Sequence, residues 1–356
     1  MNSKMVISRI LLSCLFVMPI SCGGEGGGNG GNYDPNSFDS AEEVKDKVSV
    51  KVGSETFNMI YVKDSSTPVM IPTGTNDSST ATIIDKFFIG ETELTYGLWY
   101  EVLVWATNNY AAGGARVDGG TLYKFYSSGR EGNDGTVGAV PTDNKNEPVT
   151  FISWCDAIVW CNALTEWYNA TYGTSYACVY TYGGAVLRDA TDSNCMSAVK
   201  ESGAKGFRLP TGVEWEYSAR WAGRSAGTQT NLVTAGSSGV SASLTPGYYW
   251  TQGVYASGEE NYYGDENRVS WNASTSDNFG TAAKTFPVNF NARRDANQLG
   301  IYDMSGNVSE FTGTCREYRG GNYLSGEDDL AIGLVQLLPS SLSIQTDLGF
   351  RIARTK

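Results

Sequence analysis

The sequence predicts a single irregular α+β domain over residues 48–356, and three observations lead there. Segments with a helical apolar stripe occur twice early and once in the middle of the chain, and strand-like alternation precedes the first of them. The remainder is loop, rich in Gly, Ser, Asn and Tyr, and no linker or break in composition divides it. At 356 residues and 41% hydrophobic side chains, the chain can bury a sizeable core.

Residues 1–21 read as a lipoprotein signal peptide: Lys4 and Arg9 flank the start of an apolar run, Ile10 to Ile20, which is too short to cross a bilayer as a helix. Cys22 follows and is succeeded at once by glycines up to Gly31, an arrangement similar to bacterial lipoprotein signals. Cys22 is then the lipidated first residue of the mature chain, and residues 22–47 form a flexible Gly-rich tether. Pro19-Ile20 departs from the strict lipobox, and Cys14, the other candidate, has too little apolar length before it.

Val48 to Tyr61 alternates apolar and polar residues, as a strand does, and Phe87-Phe88-Ile89 begins another apolar run. Thr95 can cap a helix that passes through Leu98, Trp99, Val102, Leu103 and Trp105. Residues 107–147 are rich in Gly, Asn and Asp and form a long irregular excursion. Ser153 can cap a second helix, Trp154 to Tyr168, whose Ala157, Ile158, Cys161, Leu164 and Trp167 make one stripe, so Cys161 is expected to be a buried thiol. A third helix follows Arg208-Leu209-Pro210, running from Thr211 to Trp221 with Thr211 as cap, Glu214 as its capping-box partner, and Trp215, Tyr217 and Ala219 facing inward. Residues 223–297 carry few periodic signals.

The net charge of −12 and a pI near 4.6 exclude nucleic acid as a partner, because phosphate binding requires clustered Lys and Arg. The chain has no histidine, which removes Ser-His and Cys-His nucleophile pairs and every His-ligated metal site. Beyond Cys22 lie Cys155, Cys161, Cys178, Cys195 and Cys315, an odd number in a setting that permits disulfides. Cys178 with Cys195 is the preferred pair, since the two bracket one Gly-containing, hairpin-like stretch. No CxxC spacing suggests structural zinc.

Five ordered segments resemble one family. They are Phe88-Ile89-Gly90-Glu91-Thr92-Glu93-Leu94-Thr95, Pro148-Val149-Thr150-Phe151-Ile152-Ser153-Trp154-Cys155-Asp156-Ala157, the run from Phe207 to Tyr217, the run from Leu299 to Glu310, and the terminal pair Tyr318-Arg319-Gly320-Gly321-Asn322 and Leu348-Gly349-Phe350-Arg351. Together they look like the formylglycine-generating enzymes, which implies an irregular C-type-lectin-like fold of that type. The family's oxidases hold copper with a pair of cysteines between the last two motifs. Here Asn322 to Asp347 contains none, and Cys315 lies upstream of Arg319, so the resemblance implies no catalytic residue and no required cofactor. A branch acting through iron-bound histidines is likewise lacking its ligands. The resemblance does imply a structural calcium, held by the Asp303 side chain, the Gly306 and Val308 carbonyls and the Glu310 carboxylate. The alternative is that Asp303 and Glu310 merely hold turn amides.

Between Tyr323 and Asp347 apolar side chains follow neither helical nor strand period, which suggests displayed contents in a fixed frame. That layout is similar to the variable proteins diversified by retroelements, treponemal ones in particular, which place replacements ahead of a terminal GFR-type segment. The resemblance implies a variable region at about 316–354, with Tyr318, Tyr323, Ser325, Asp328, Ile332, Leu334, Gln336, Leu338 and Ser341 forming a ligand-binding face. The competing reading places these leucines in the core of an ordinary loop pair. The function expected is a lipid-anchored, surface-displayed binder of an unknown ligand, most readily a protein, which touches membrane only through its anchor. The alternatives are an oxidase or accessory protein of the family and a structural envelope lipoprotein.

Overall fold

The computed structural model describes residues 38–63, 66–107, 116, 119–224, 232–233, 244–246, 248–252, 270–271, 284–288 and 296–356. The signal peptide, Cys14, Cys22 and the tether up to residue 37 lie outside the described residues. Helix α1 spans Tyr96–Thr107, α2 Trp154–Tyr172 and α3 Gly212–Arg220. Their starts follow from local chemistry. The Thr95 hydroxyl accepts the Leu98 N–H at 3.3 Å. Ser153 and Thr211 each close a capping box, with Asp156 and Glu214 as partners. Gly173, at φ 69°, ends α2 in the left-handed conformation.

The principal sheet is antiparallel, in the order Lys47–Val52, Glu55–Tyr61, Phe87–Gly90, Ala353–Thr355, Phe207–Arg208. The single strand expected over Val48 to Tyr61 is therefore a hairpin, because Gly53 takes φ 58° and turns the chain back. Trp99 of α1 stacks on Trp160 of α2 with ring centres 5.8 Å apart, and Cys161 is buried beside them as expected. The ordered domain also starts earlier than residue 48. Phe38, at the head of a short 3-10 turn, is buried against Phe88, Tyr168 and Phe207 with Arg354 over its ring, so residues 38–47 are pinned to the domain through Phe38 and Ala41 while their other side chains are mostly exposed.

The disulfide joins Cys155 to Cys195, not Cys178 to Cys195. The 3-10 turn Ser193–Ser197 lays Cys195 beside the first turn of α2, with Cα atoms 5.7 Å apart, whereas the buried Cys178 sulfur faces the Asn162 carbonyl at 3.6 Å. Cys161, Cys178 and Cys315 are free thiols.

A second sheet carries the C-terminal stretch in the order Gln336–Leu337, Glu317–Arg319, Ser309–Phe311, Leu348–Phe350. Its last pair is parallel, and the chain then passes through Arg351 into the principal sheet, tying the two together. No helix among the described residues is long and apolar enough to cross a membrane.

Candidate ligand-binding face

Buried ion pairs frame the stretch between Arg319 and Arg351. The parallel pairing of Glu310 with Gly349 sets Arg351 against the Glu310 carboxylate, Nε to Oε2 at 2.6 Å and Nη2 to Oε1 at 2.5 Å. Trp215 Nε1 donates to the same Oε2 at 2.8 Å, and Arg351 Nη2 also reaches the carbonyls of Tyr302 and Asp303. Both charges are fully buried, so removing either leaves the other uncompensated in a low-dielectric interior. Glu93 completes this cluster, accepting from Asn307 Nδ2 at 2.6 Å and from the Val308 N–H at 3.0 Å. Burial, and then the Asp303 and Glu310 charges, push its carboxyl well above the ordinary value of 4.5.

At the other end, Arg319 donates to Glu317 at 2.9 Å and to Glu216 of α3 at 3.2 Å. Glu216 in turn pairs with Arg220 at 2.9 Å. Arg208 grips Glu214 through two bonds of 2.6 and 2.7 Å, fixing the start of α3.

Asp303, Gly306, Val308 and Glu310 lie on one short segment that runs into the strand Ser309–Phe311, and Asp303, Gly306 and Asn307 in it have positive φ. They do not fit calcium. Both oxygens of Glu310 are taken by Arg351, which supplies the positive charge a cation would bring. In this segment the Glu310 carboxylate holds Arg351 and Trp215 rather than turn amides.

Of the nine residues expected to face a ligand, five are buried. Ile332 is 0% exposed in the core cluster containing Trp215 and Tyr217, and Leu338 is 2% exposed in the cluster around α1 and α2. Tyr323 is buried, and burial raises its phenol above the ordinary value although its hydrogen bonds with Thr346 and Asn133 act in the opposite direction. Ser325 accepts the Asn322 N–H at 3.0 Å, and the buried Ser341 receives the Cys155 N–H on its carbonyl. These five are framework, and for them the core reading holds. Tyr318, Leu334 and Gln336 are half-buried and Asp328 is exposed.

The outward-facing apolar residues are others: Leu324 at 53%, Val335 at 46% and Leu337 at 61% exposure. The edge strand Gln336–Leu337 explains the exchange, because alternation sends Val335 and Leu337 outward while Leu338 turns into the core. The alternation spans only four residues, and the adjacent Leu337 and Leu338 hide it in the sequence. Between residues 320 and 350 the chain has four acidic residues, Glu327, Asp328, Asp329 and Asp347, and no Lys or Arg. The stretch thus offers exposed aliphatic and carboxylate groups on a backbone held at both ends by buried ion pairs.

A family profile described as "Sulfatase-modifying factor enzyme 1-like domain" matches residues 34–356. The chain is 30% identical over 239 residues to the chaperone protein LppX of Paenibacillus barcinonensis, an alignment covering 62% of this chain and 75% of the relative. Among solved structures it is similar to Treponema denticola variable protein 1, with TM-score 0.54 and 22% identity, over 87% of this chain and 99% of that one. It is also similar to CarF, with TM-score 0.52 and 24% identity over 82% and 99% of the two chains. For PvdO from Pseudomonas aeruginosa the values are 0.50 and 14%, over 89% and 100%. At such identities these structures establish likeness of fold, the irregular α+β, C-type-lectin-like architecture implied by the sequence motifs.

Proposed function

The chain belongs to the sulfatase-modifying factor enzyme 1-like family, and on that premise we propose that it is a non-catalytic, lipid-anchored binding protein of the cell surface. Its C-terminal stretch, about residues 316–354, is the ligand site, diversified by a retroelement, and the ligand is a protein. The observation that carries this reading is the outward display of Leu324, Val335 and Leu337 on a stretch whose ends are held by buried ion pairs at Arg319 and Arg351. Exposed aliphatics on a stretch held at both ends can serve as contact anchors, and a rigid frame lets their identities change without loss of fold. The fold shared with Treponema denticola variable protein 1 supports the reading without carrying it. Anchoring through Cys22 rests on the sequence of the first 31 residues.

Oxidase chemistry of the copper type is disfavoured by the lack of any cysteine between Asn322 and Asp347. The test is to sequence the DNA on either side of the gene for a reverse transcriptase and for a near-copy of the codons for residues 316–354. A near-copy differing mainly at adenines supports diversification. Flanks without either element remove it and leave a lipoprotein of fixed specificity.

A further inference from the structure

The hairpin formed by Val69–Thr73 and Ser79–Ile83 has its tip, residues 74–78, packed against the C-terminal stretch. Gly333 lies so close to it that an added Cβ would stand 2.2 Å from the Gly74 carbonyl carbon and 2.5 Å from the Thr75 nitrogen. The tip is also held from beneath. The Gly74 N–H donates to Glu216 Oε1 at 3.0 Å, while Glu216 Oε2 accepts from Arg319 at 3.2 Å. Arg220 bridges Glu216 and Asp77, and Arg319 Nη1 reaches the Ile332 carbonyl at 3.4 Å. One buried carboxylate thus binds the hairpin tip with one oxygen and the arginine of the C-terminal stretch with the other.

Surface hairpin tips are ordinarily mobile, and buried ion pairs add little to stability because desolvation offsets their attraction. What this network does is fix the position of the tip relative to residues 332–333. Above it, Thr75, Asn76 and Ser78 are exposed, presenting hydroxyl and amide groups alongside the stretch that displays Val335 and Leu337. Residues 74–80 and 320–350 carry no basic side chain, and Arg316, at the start of the C-terminal stretch, has its guanidinium held at the Pro339 carbonyl at 3.1 Å.

We propose that the tip of this hairpin is a second, constant wall of the ligand face, and that the composite surface takes a protein segment carrying Lys or Arg beside apolar side chains. The C-terminal wall supplies aliphatic contact through Val335 and Leu337 and negative charge through Asp328 and Asp329, both exposed. The hairpin wall supplies hydrogen-bond groups whose backbone is already ordered, so binding them costs little conformational entropy. Complementary charge favours a basic partner and makes association weaken with salt. This inference rests on the reading of the C-terminal stretch as the ligand site.

The experiment selects a phage library of random dodecapeptides against the full chain, then measures the enriched peptides against three variants: Leu337→Ser, Thr75→Ala/Asn76→Ala and Gly333→Ala. The double variant alters only exposed side chains, and an unchanged melting temperature confirms that it folds. The expected result is enrichment of peptides combining Lys or Arg with large apolar residues, whose affinity falls at least about threefold on Leu337→Ser and also on the double variant. Gly333→Ala, which pushes the walls apart with both sets of side chains intact, gives a loss of the same order. Peptides that need Leu337 but bind the double variant within about threefold overturn the hairpin wall alone. Enriched peptides without basic residues overturn the assigned partner chemistry. Failure to enrich any peptide dependent on Leu337 overturns the reading of the C-terminal stretch as a site, and this inference with it.

Discussion

Leu337 and Leu338 are neighbours in sequence and opposites in structure, and truncating each to Ala separates a displayed face from a core. Leu338 is 2% exposed, packs in the cluster that holds Phe350 and Trp160, and donates its N–H to the Arg316 carbonyl at 3.0 Å. Removing its branched end leaves a cavity lined by atoms that relax only partly, a loss of about 2–5 kcal/mol. Leu337 is 61% exposed, and its truncation falls within about 0.5 kcal/mol of zero. For a domain of this size each kcal/mol moves the melting temperature by about 2 °C, so Leu338→Ala lowers it by about 4–10 °C and Leu337→Ala by about 1 °C or less. Parallel thermal melts followed by far-UV circular dichroism read the difference. Equal losses from the two substitutions, or the larger loss at Leu337, would refute the alternation assigned to this edge strand.

Three further outcomes follow from the frame. Asp156 accepts from Ser153, Tyr126 and Ser127, yet burial raises its carboxyl from 3.8 to about 6. The folded state therefore keeps a proton that the unfolded state releases, and stability falls by about 3 kcal/mol as pH rises from the unfolded value through about 6. Asp156→Asn should be less stable at every pH but flatter across that window in urea titrations, and an unaltered slope would contradict the assignment. Peptide mapping without reductant should find Cys155 joined to Cys195 and leave Cys178→Ser unaffected, while reduction lowers stability by about 4 kcal/mol for a link spanning 40 residues. A Cys178 to Cys195 peptide would overturn the pairing. Because Arg351 occupies Glu310, exchanging calcium for EGTA should move the melting temperature by less than about 1 °C, and a shift of several degrees would show a bound cation.

Helix starts were legible because their chemistry is local: Thr211 and Glu214, three residues apart, announce α3 wherever it packs. The family motifs were legible for a related reason, since they supply the residues of the ion-pair frame, Arg208, Glu310, Arg319 and Arg351. Cys155 and Cys195 could not be paired from sequence, because their approach depends on where a short 3-10 turn settles against α2. Phe38 gave no signal amid polar neighbours, as its burial depends on strands and a helix far along the chain. The face itself was half legible. The two arginines that bound the stretch, Arg319 and Arg351, were legible from the motifs, but which side chains point outward is decided by pairing with Glu317–Arg319 and by the hairpin tip against Gly333.

The most direct measurement is to sequence the codons for residues 316–354 in many independent isolates carrying this gene. The account predicts replacements concentrated at exposed positions such as Leu324, Asp328, Val335 and Leu337, with Ile332, Gly333, Leu338 and Arg351 unchanged. Codons invariant throughout, or replacements as frequent at the buried positions as at the exposed ones, would contradict a diversified face on a fixed frame.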